Sequence, residues 1–279
     1  MSEIKLVVDY DQYEEGITME GLIEELAAGP QSSEVTRLVI GDWGGSYEND
    51  SSALVEALVR LNDRFPKLRE LFIGDMGFEE CEVSWIMQSN LGPLLTAYPE
   101  LVSLTIKGSQ GLELEPARHE KLEELIIICG GLGQDVLASI ANGSFPRLKK
   151  LELYLGVDEY GFDGSLEDVL AVARPGLFPE LTYLGLKNSE IQDEIAIALA
   201  DAPILDQLHT LDFSDGTLSD EGAEALLGSD RIRKLSLLNL SHHYMSEEMM
   251  ERWKQSGVNV DISEAQDPDD EYRYPTLTE

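Results

Sequence analysis

One phrase recurs along the chain and constrains its fold more than any other feature. It reads as an aromatic, a proline, any residue, then L-x-x-L-x-[LI]. It begins at Phe65-Pro66, Tyr98-Pro99, Phe145-Pro146 and Phe178-Pro179 and runs through to Ile73, Ile106, Leu153 and Leu186. Four further copies lack the proline and start at Val35, Leu122, Leu208 and Leu235. Eight such matches are beyond chance. Their first positions are spaced 33, 33, 21, 26, 33, 27 and 27 residues. In every copy the leucines alternate with other residues, which predicts a strand with one buried face and one free face. A helical stretch follows: 52–64 sets Leu54, Leu58 and Leu61 on one stripe, and 246–255 does so with Met249, Met250 and Trp253. Ser219 and Ser246 stand where N-caps belong, each before two acids that favour the positive helix end. One such unit cannot bury its own core, so the units must stack and the ends must be capped.

The last three copies stay in register past the strand, through Ile191, Leu218 and Met245 and then Leu199, Leu226 and Trp253. These L-x-x-L-x-L units, with the stretch 218–226, resemble the leucine-rich repeat in its longer, ribonuclease-inhibitor-like form. The resemblance implies an α/β solenoid in a horseshoe arc, with parallel strands on the concave side and helices on the convex side. It covers residues 31–263. Residues 1–30, with a strand over 4–8 and a helix over 19–28, read as an N-terminal cap, and 258–262 reads as the final strand. The acidic stretch 264–279 is a tail, either disordered or folded over the last turn by Tyr272 and Tyr274. The repeat family carries an Asn beyond the last strand Leu that bridges neighbouring turns. Here Trp43, Gly130, Ser189, Gly216 and His243 replace it in various copies, which implies a less regular stack with variable loops. The Arg273-Tyr274 ending with Glu279 is similar to an uncharacterised family of bacterial cytoplasmic leucine-rich-repeat proteins.

Charge narrows the partners. Twenty Lys and Arg stand against 54 Asp and Glu, for a net charge of −34. That argues against broad affinity for nucleic acid or an anionic membrane, both of which require a basic face, and leaves a basic protein open. Two cysteines, Cys81 and Cys129, suit a reducing compartment. The opening MSEIKLVVDYDQYEE turns acidic too early for a signal peptide, and no apolar run reaches the roughly 20 residues of a membrane span. These features predict a cytoplasmic protein, and self-repulsion favours a monomer.

Repeats of this kind bind through the strand residues that flank the buried leucines. The outward positions include Arg37, Glu70, Phe72, Thr105, Lys107, Glu124, Ile126, Lys150, Glu152, Tyr154, Tyr183, Lys187, Asp212 and Asn239. Four of these are basic and four acidic, so the −34 must lie on helices, loops and tail. A mixed surface with aromatics suits specific protein recognition: Phe72, Tyr154 and Tyr183 as anchors, the charges setting register. The competing reading is that Phe72 and Ile126 merely pack across neighbouring strands. Two loops, 42–50 and 156–164, add Trp43, Tyr47, Tyr160 and Phe162 on one rim. Aromatic loops on a rigid scaffold often carry function, and equally well plug an edge.

Chemistry finds no foothold. Asp158 and Asp163 lack the alternating ligands of a calcium loop. His119, His209, His242 and His243 are scattered, without a third metal ligand nearby. Cys129-Gly130-Gly131 lacks both a neighbouring base and the Lys-Ser/Thr of a phosphate loop. No cofactor, metal or catalytic constellation is expected, hence no enzyme. The expected function is a non-catalytic intracellular module that binds a partner protein on its concave face. Two alternatives stand beside it: an acidic inhibitor of a basic enzyme or toxin, and a regulator of another protein's catalysis in the manner of GTPase-activating solenoids, for which Arg37 is the one concave arginine.

Overall fold

The computed structural model describes residues 2–278; Met1 and Glu279, the last residue of the tail motif, lie outside them. The chain divides into two compact units: residues up to Ile128 with Asn142–Leu148, and Cys129–Ala141 with Lys149–Thr278.

In the first unit the strands β1 (Glu3–Val8), β2 (Arg37–Trp43), β3 (Glu70–Ile73), β4 (Ser103–Lys107) and β5 (Glu124–Ile128) pair in chain order, all parallel. Register sets Leu38, Leu71, Leu104 and Leu125 side by side, each at most 2% exposed. The repeated leucine is therefore a continuous inner ridge. α1 (Tyr10–Glu14), which buries no residue, follows β1, and behind the ridge run α2 (Met19–Ala28), α3 (Ser52–Arg60) and α4 (Gly92–Ala97). The expected N-terminal strand and helix are β1 and α2, the latter capped by Thr18 and burying Met19, Ile23 and Leu26. The helix expected over 52–64 ends at Arg60. Residues 62–64 tighten into a 3-10 turn that brings the chain to Phe65. The 21-residue copy between β4 and β5 is too short to return through an α-helix. It forms isolated parallel bridges instead, Gln110 to Met87 and Glu113 to Asn90.

In the second unit α5 (Gln134–Asn142) precedes β6 (Lys150–Gly156), α6 (Leu166–Val172), β7 (Tyr183–Ser189), α7 (Gln192–Leu199) and β8 (Thr210–Asp212). Then come α8 (Asp220–Leu227), β9 (Leu237–Asn239), α9 (Glu247–Gln255) and β10 (Val260–Asp261). These strands too are parallel and in chain order, with Leu151, Leu184, Leu211 and Leu238 aligned and buried. Ser219 and Ser246 are N-caps, accepting from the amides of Glu221 and Met249. Each is tied to the preceding helix. Asp193 accepts from the Ser219 amide at 2.8 Å, and Asp220 from that of Ser246 at 2.8 Å. The acids that favour a helix start thus also weld successive repeats.

The aromatic of the Pro-containing phrase is a plug. Phe65, Tyr98 and Phe145 in the first unit and Phe178 in the second are at most 4% exposed. The proline that follows cannot continue a helix, so the chain turns into the next strand. The bridging role of the missing Asn has passed to other side chains. His243 donates through Nε2 to the Ile262 carbonyl at 3.0 Å, and its Nδ1 accepts from the Met245 amide at 3.1 Å. Burial holds its pKa below the ordinary histidine value.

Of the two fates considered for the tail, it folds back. Ala265 pairs with His243, and the Thr276 amide donates to the Asp215 carbonyl at 2.8 Å. Asn188 grips Leu277 at both ends, accepting its N–H at 2.8 Å and donating to its carbonyl at 2.5 Å. The backbone of Tyr274, not its ring, makes the contact: its N–H and carbonyl both bond the Tyr244 hydroxyl, and the rings of Tyr272 and Tyr274 stay exposed. Among the described residues no helix is long and apolar enough to cross a membrane.

Candidate functional site

The outward strand positions form rows because parallel register places equivalent residues side by side. In the first unit, Arg37 lies between Glu3 at 3.2 Å and Glu70 at 3.7 Å, and Ser103 donates to Glu124 at 3.1 Å. The two arginine pairs are exposed and worth little to stability. In the next row Phe72, Thr105 and Ile126 are direct neighbours, all half-buried. Phe72 and Ile126 flank the threonine on this row. Lys107 reaches across to the Met76 carbonyl.

The second unit behaves differently. Lys187 donates to the Tyr154 hydroxyl at 2.9 Å and lies 4.6 Å over that ring's centroid. It also meets Asp215 at 3.1 Å and Glu152 at 3.7 Å. Lys150 bonds Glu152 at 2.8 Å and sits 4.8 Å over the ring of Tyr183, whose hydroxyl donates to Asp212 at 2.7 Å. The tyrosines expected as anchors and the charges expected to set register are here joined in one network. Glu152 and Asp212 are buried within it, while the tyrosine rings are half-exposed.

Electrostatics fixes the protonation states. Burial, then the charges of Asp212 and Glu152, push the Tyr183 phenol far above its ordinary value; burial also raises Tyr154. Burial draws Lys187 down, but the Tyr154 hydroxyl, Asp212 and Asp215 outweigh it and leave the ammonium above its usual range. Near neutral pH these groups stay a cation and two neutral phenols.

Asp212 and Asn239 have a second duty. The Asp212 carboxylate accepts from the Ser214 amide at 3.0 Å, Asn239 from that of Ser241 at 3.0 Å, and Asp261 from that of Ser263 at 2.9 Å. This [DN]-x-S closure captures an amide two residues on, and such local bonds compete with the sheet ladder. It falls at the last residue of β8, β9 and β10 alike. The signal was present in the sequence, as three copies at equivalent places.

The rim loops divide. Trp43 is 6% exposed and donates through Nε1 to the Asn49 carbonyl at 2.8 Å; Phe162 is 5% exposed. Both plug the solenoid. Tyr160 is half-exposed, its backbone pressed against Gly131, where a Cβ would come within 2.4 Å of it. Tyr47 is exposed. Four exposed aromatics escaped the sequence reading: Tyr10, Tyr13, Phe78 and Trp85. They follow the ends of β1 and β3, in segments without the leucine alternation that marks the strands.

Parallel strands with aligned inward leucines and helices returning behind them define a leucine-rich-repeat solenoid. A crystal structure of a Bacteroides fragilis protein matches the chain with a TM-score of 0.90 and 34% identity, over 98% of this chain and 77% of that one. The chain belongs to the family of that protein. An internalin from Listeria monocytogenes aligns over 94% of this chain and 96% of its own at 14% identity, with a TM-score of only 0.35. Neither a protein-family model nor a curated protein matches.

Proposed function

We propose that this protein is a non-catalytic interaction module that binds a partner protein across the outward faces of its strands. The observation that carries the reading is the Tyr154–Lys187–Asp215 and Lys150–Tyr183–Asp212 network. Its rings are half-exposed yet held by mutual bonds on a rigid sheet. Side chains already fixed lose little freedom on binding, and tyrosine is a preferred interface anchor. The protonation states support a recognition role over a chemical one, since a raised phenol and a raised ammonium serve neither as base nor as nucleophile near neutral pH.

The test is capture of partners from a lysate of the source organism at low and high salt, with wild type and with Tyr154→Ala/Tyr183→Ala. A discrete partner retained at high salt by wild type and lost by the variant supports the reading. Undiminished capture by a folded variant contradicts it.

A further inference from the structure

The aromatic side chains left outside the core are not scattered. Seven aromatics are exposed among the described residues; two lie in the tail, and the other five are Tyr10, Tyr13, Tyr47, Phe78 and Trp85. All five sit in the segments that leave the C-terminal ends of β1, β2 and β3, Tyr10 and Tyr13 on the short helix α1 and Trp85 in a 3-10 turn, and parallel pairing puts those ends on one edge of the first unit. The loops are joined there. Asn49 donates to the Tyr13 hydroxyl at 3.2 Å, the Met87 amide to the Ser46 carbonyl at 2.8 Å, and the Ser46 hydroxyl to the Met76 sulfur at 3.2 Å. Glu48 raises the Tyr47 phenol, and Tyr10, Tyr13 and Asp42 are close enough to add to the shift.

The charge of this edge is one-sided. The segments 9–17, 42–51 and 74–91 hold eleven Asp and Glu and no Lys or Arg. Two lysines reach the edge from strands: Lys5, which pairs with Asp75 at 2.9 Å, and Lys107, which donates to the Met76 carbonyl. Exposed rings set among carboxylates attract cations twice, through the ring faces and through the field. Nucleic acid, an anionic bilayer and a second copy of this edge are all repelled by the same field.

The geometry points to a second interaction surface on this edge, built by Tyr10, Tyr47, Phe78 and Trp85, that takes a protein segment interleaving Lys or Arg with aliphatic side chains. The cations meet the carboxylates and ring faces, while the aliphatic groups cover the exposed rings. This surface is separate from the strand face and stands or falls independently of it.

The chain carries its own reporter, because Trp85 is 55% exposed whereas Trp43 and Trp253 are 6% and 1% exposed. Two synthetic peptides of equal length and charge serve as probes, one alternating Lys/Arg with Leu, the other with Ser in place of Leu. The Leu peptide is expected to bind by titration calorimetry and to shift Trp85 emission to the blue. The Ser peptide, and the surface variant Tyr47→Ser/Phe78→Ser/Trp85→Ser, are each expected to bind about tenfold more weakly or worse. Phe72→Ala, on the strand face, is expected to leave this binding unchanged. Three outcomes overturn the proposal: no binding of the Leu peptide, equal binding of both peptides with no effect of the triple variant, or a dimer in sedimentation that the triple variant dissociates.

Discussion

The ammonium of Lys187 lies 2.9 Å from the hydroxyl of Tyr154 and 3.1 Å from the carboxylate of Asp215, with Glu152 at 3.7 Å on another side. A cation from β7, a phenol and a carboxylate from β6 and a carboxylate just past β8 thus meet at one point. Removing the cation while keeping the stem, as in Lys187→Met, leaves two carboxylates facing each other. Glu152 retains Lys150 at 2.8 Å, so the loss falls at the lower end for a buried pair, about 3 kcal/mol. Urea unfolding of wild type and variant checks it; a difference below about 1 kcal/mol would mean that the network is ornamental to stability.

Two glycines with the same backbone sign separate strain from steric exclusion. Gly156 has φ +78 and a Cβ built on it would lie 1.7 Å from the Gly130 carbonyl oxygen; Gly176 has φ +80 with nothing within 4 Å. Gly176→Ala is expected to cost about 1 kcal/mol, the left-handed penalty alone. Gly156→Ala must also displace backbone and is expected to cost about 3 kcal/mol or more. Thermal melts of the two variants side by side should show the second shift several times larger.

His243 makes stability depend on pH in a known direction. Its neutral ring is fully used, donating from Nε2 and accepting at Nδ1, so a second proton would face the Met245 N–H. With the folded pKa below 6.5, the unfolded chain takes up its proton first as pH falls. Its contribution is therefore complete above pH 6.5 and is lost as pH drops from there through the folded value. Unfolding free energies of wild type and His243→Asn should converge by up to about 1.4 kcal/mol per pH unit below 6.5. A gap between them that stays constant from pH 7.5 to 5 would contradict this.

The tail depends on Asn188. Its side chain holds both backbone groups of Leu277, a bond pair that bridges 89 residues of sequence. In Asn188→Ala the amide hydrogen of Leu277 is expected to exchange at least about tenfold faster, since local opening no longer breaks two hydrogen bonds. Unchanged exchange would assign the tail's anchoring to its other bonds, those of Tyr244, Asp215, His242 and His243.

Much of the architecture was legible because a solenoid writes its core as repetition. The middle leucine of each of the eight copies falls on β2 through β9 in turn, and Ser219 and Ser246 cap the helices that their acids announce. What escaped depends on contacts between repeats rather than within them. The 33-residue step between the copies at Leu148 and Leu181 does set Lys150 beside Tyr183 and Tyr154 beside Lys187, but the diagonal bonds to Glu152, Asp212 and Asp215 that close the network depend on side-chain reach that spacing does not show. Trp43 and Tyr47 read alike in sequence, four residues apart in one loop, yet Asn49 draws the first inward and the second stays out. Phe78 and Trp85 lie in a loop with no periodicity, so only the fold shows that they share an edge with Tyr10 and Tyr47.

The most direct test of strand-face binding is site-specific photo-crosslinking in cells of the source organism. The photoreactive residue would replace Thr105 or Leu237 on the strand faces, or Ile197, which is 45% exposed on α7. Discrete adducts with a second protein from Thr105 or Leu237, and none from Ile197, are the predicted result. Adducts from Ile197 with none from either strand-face position would contradict it.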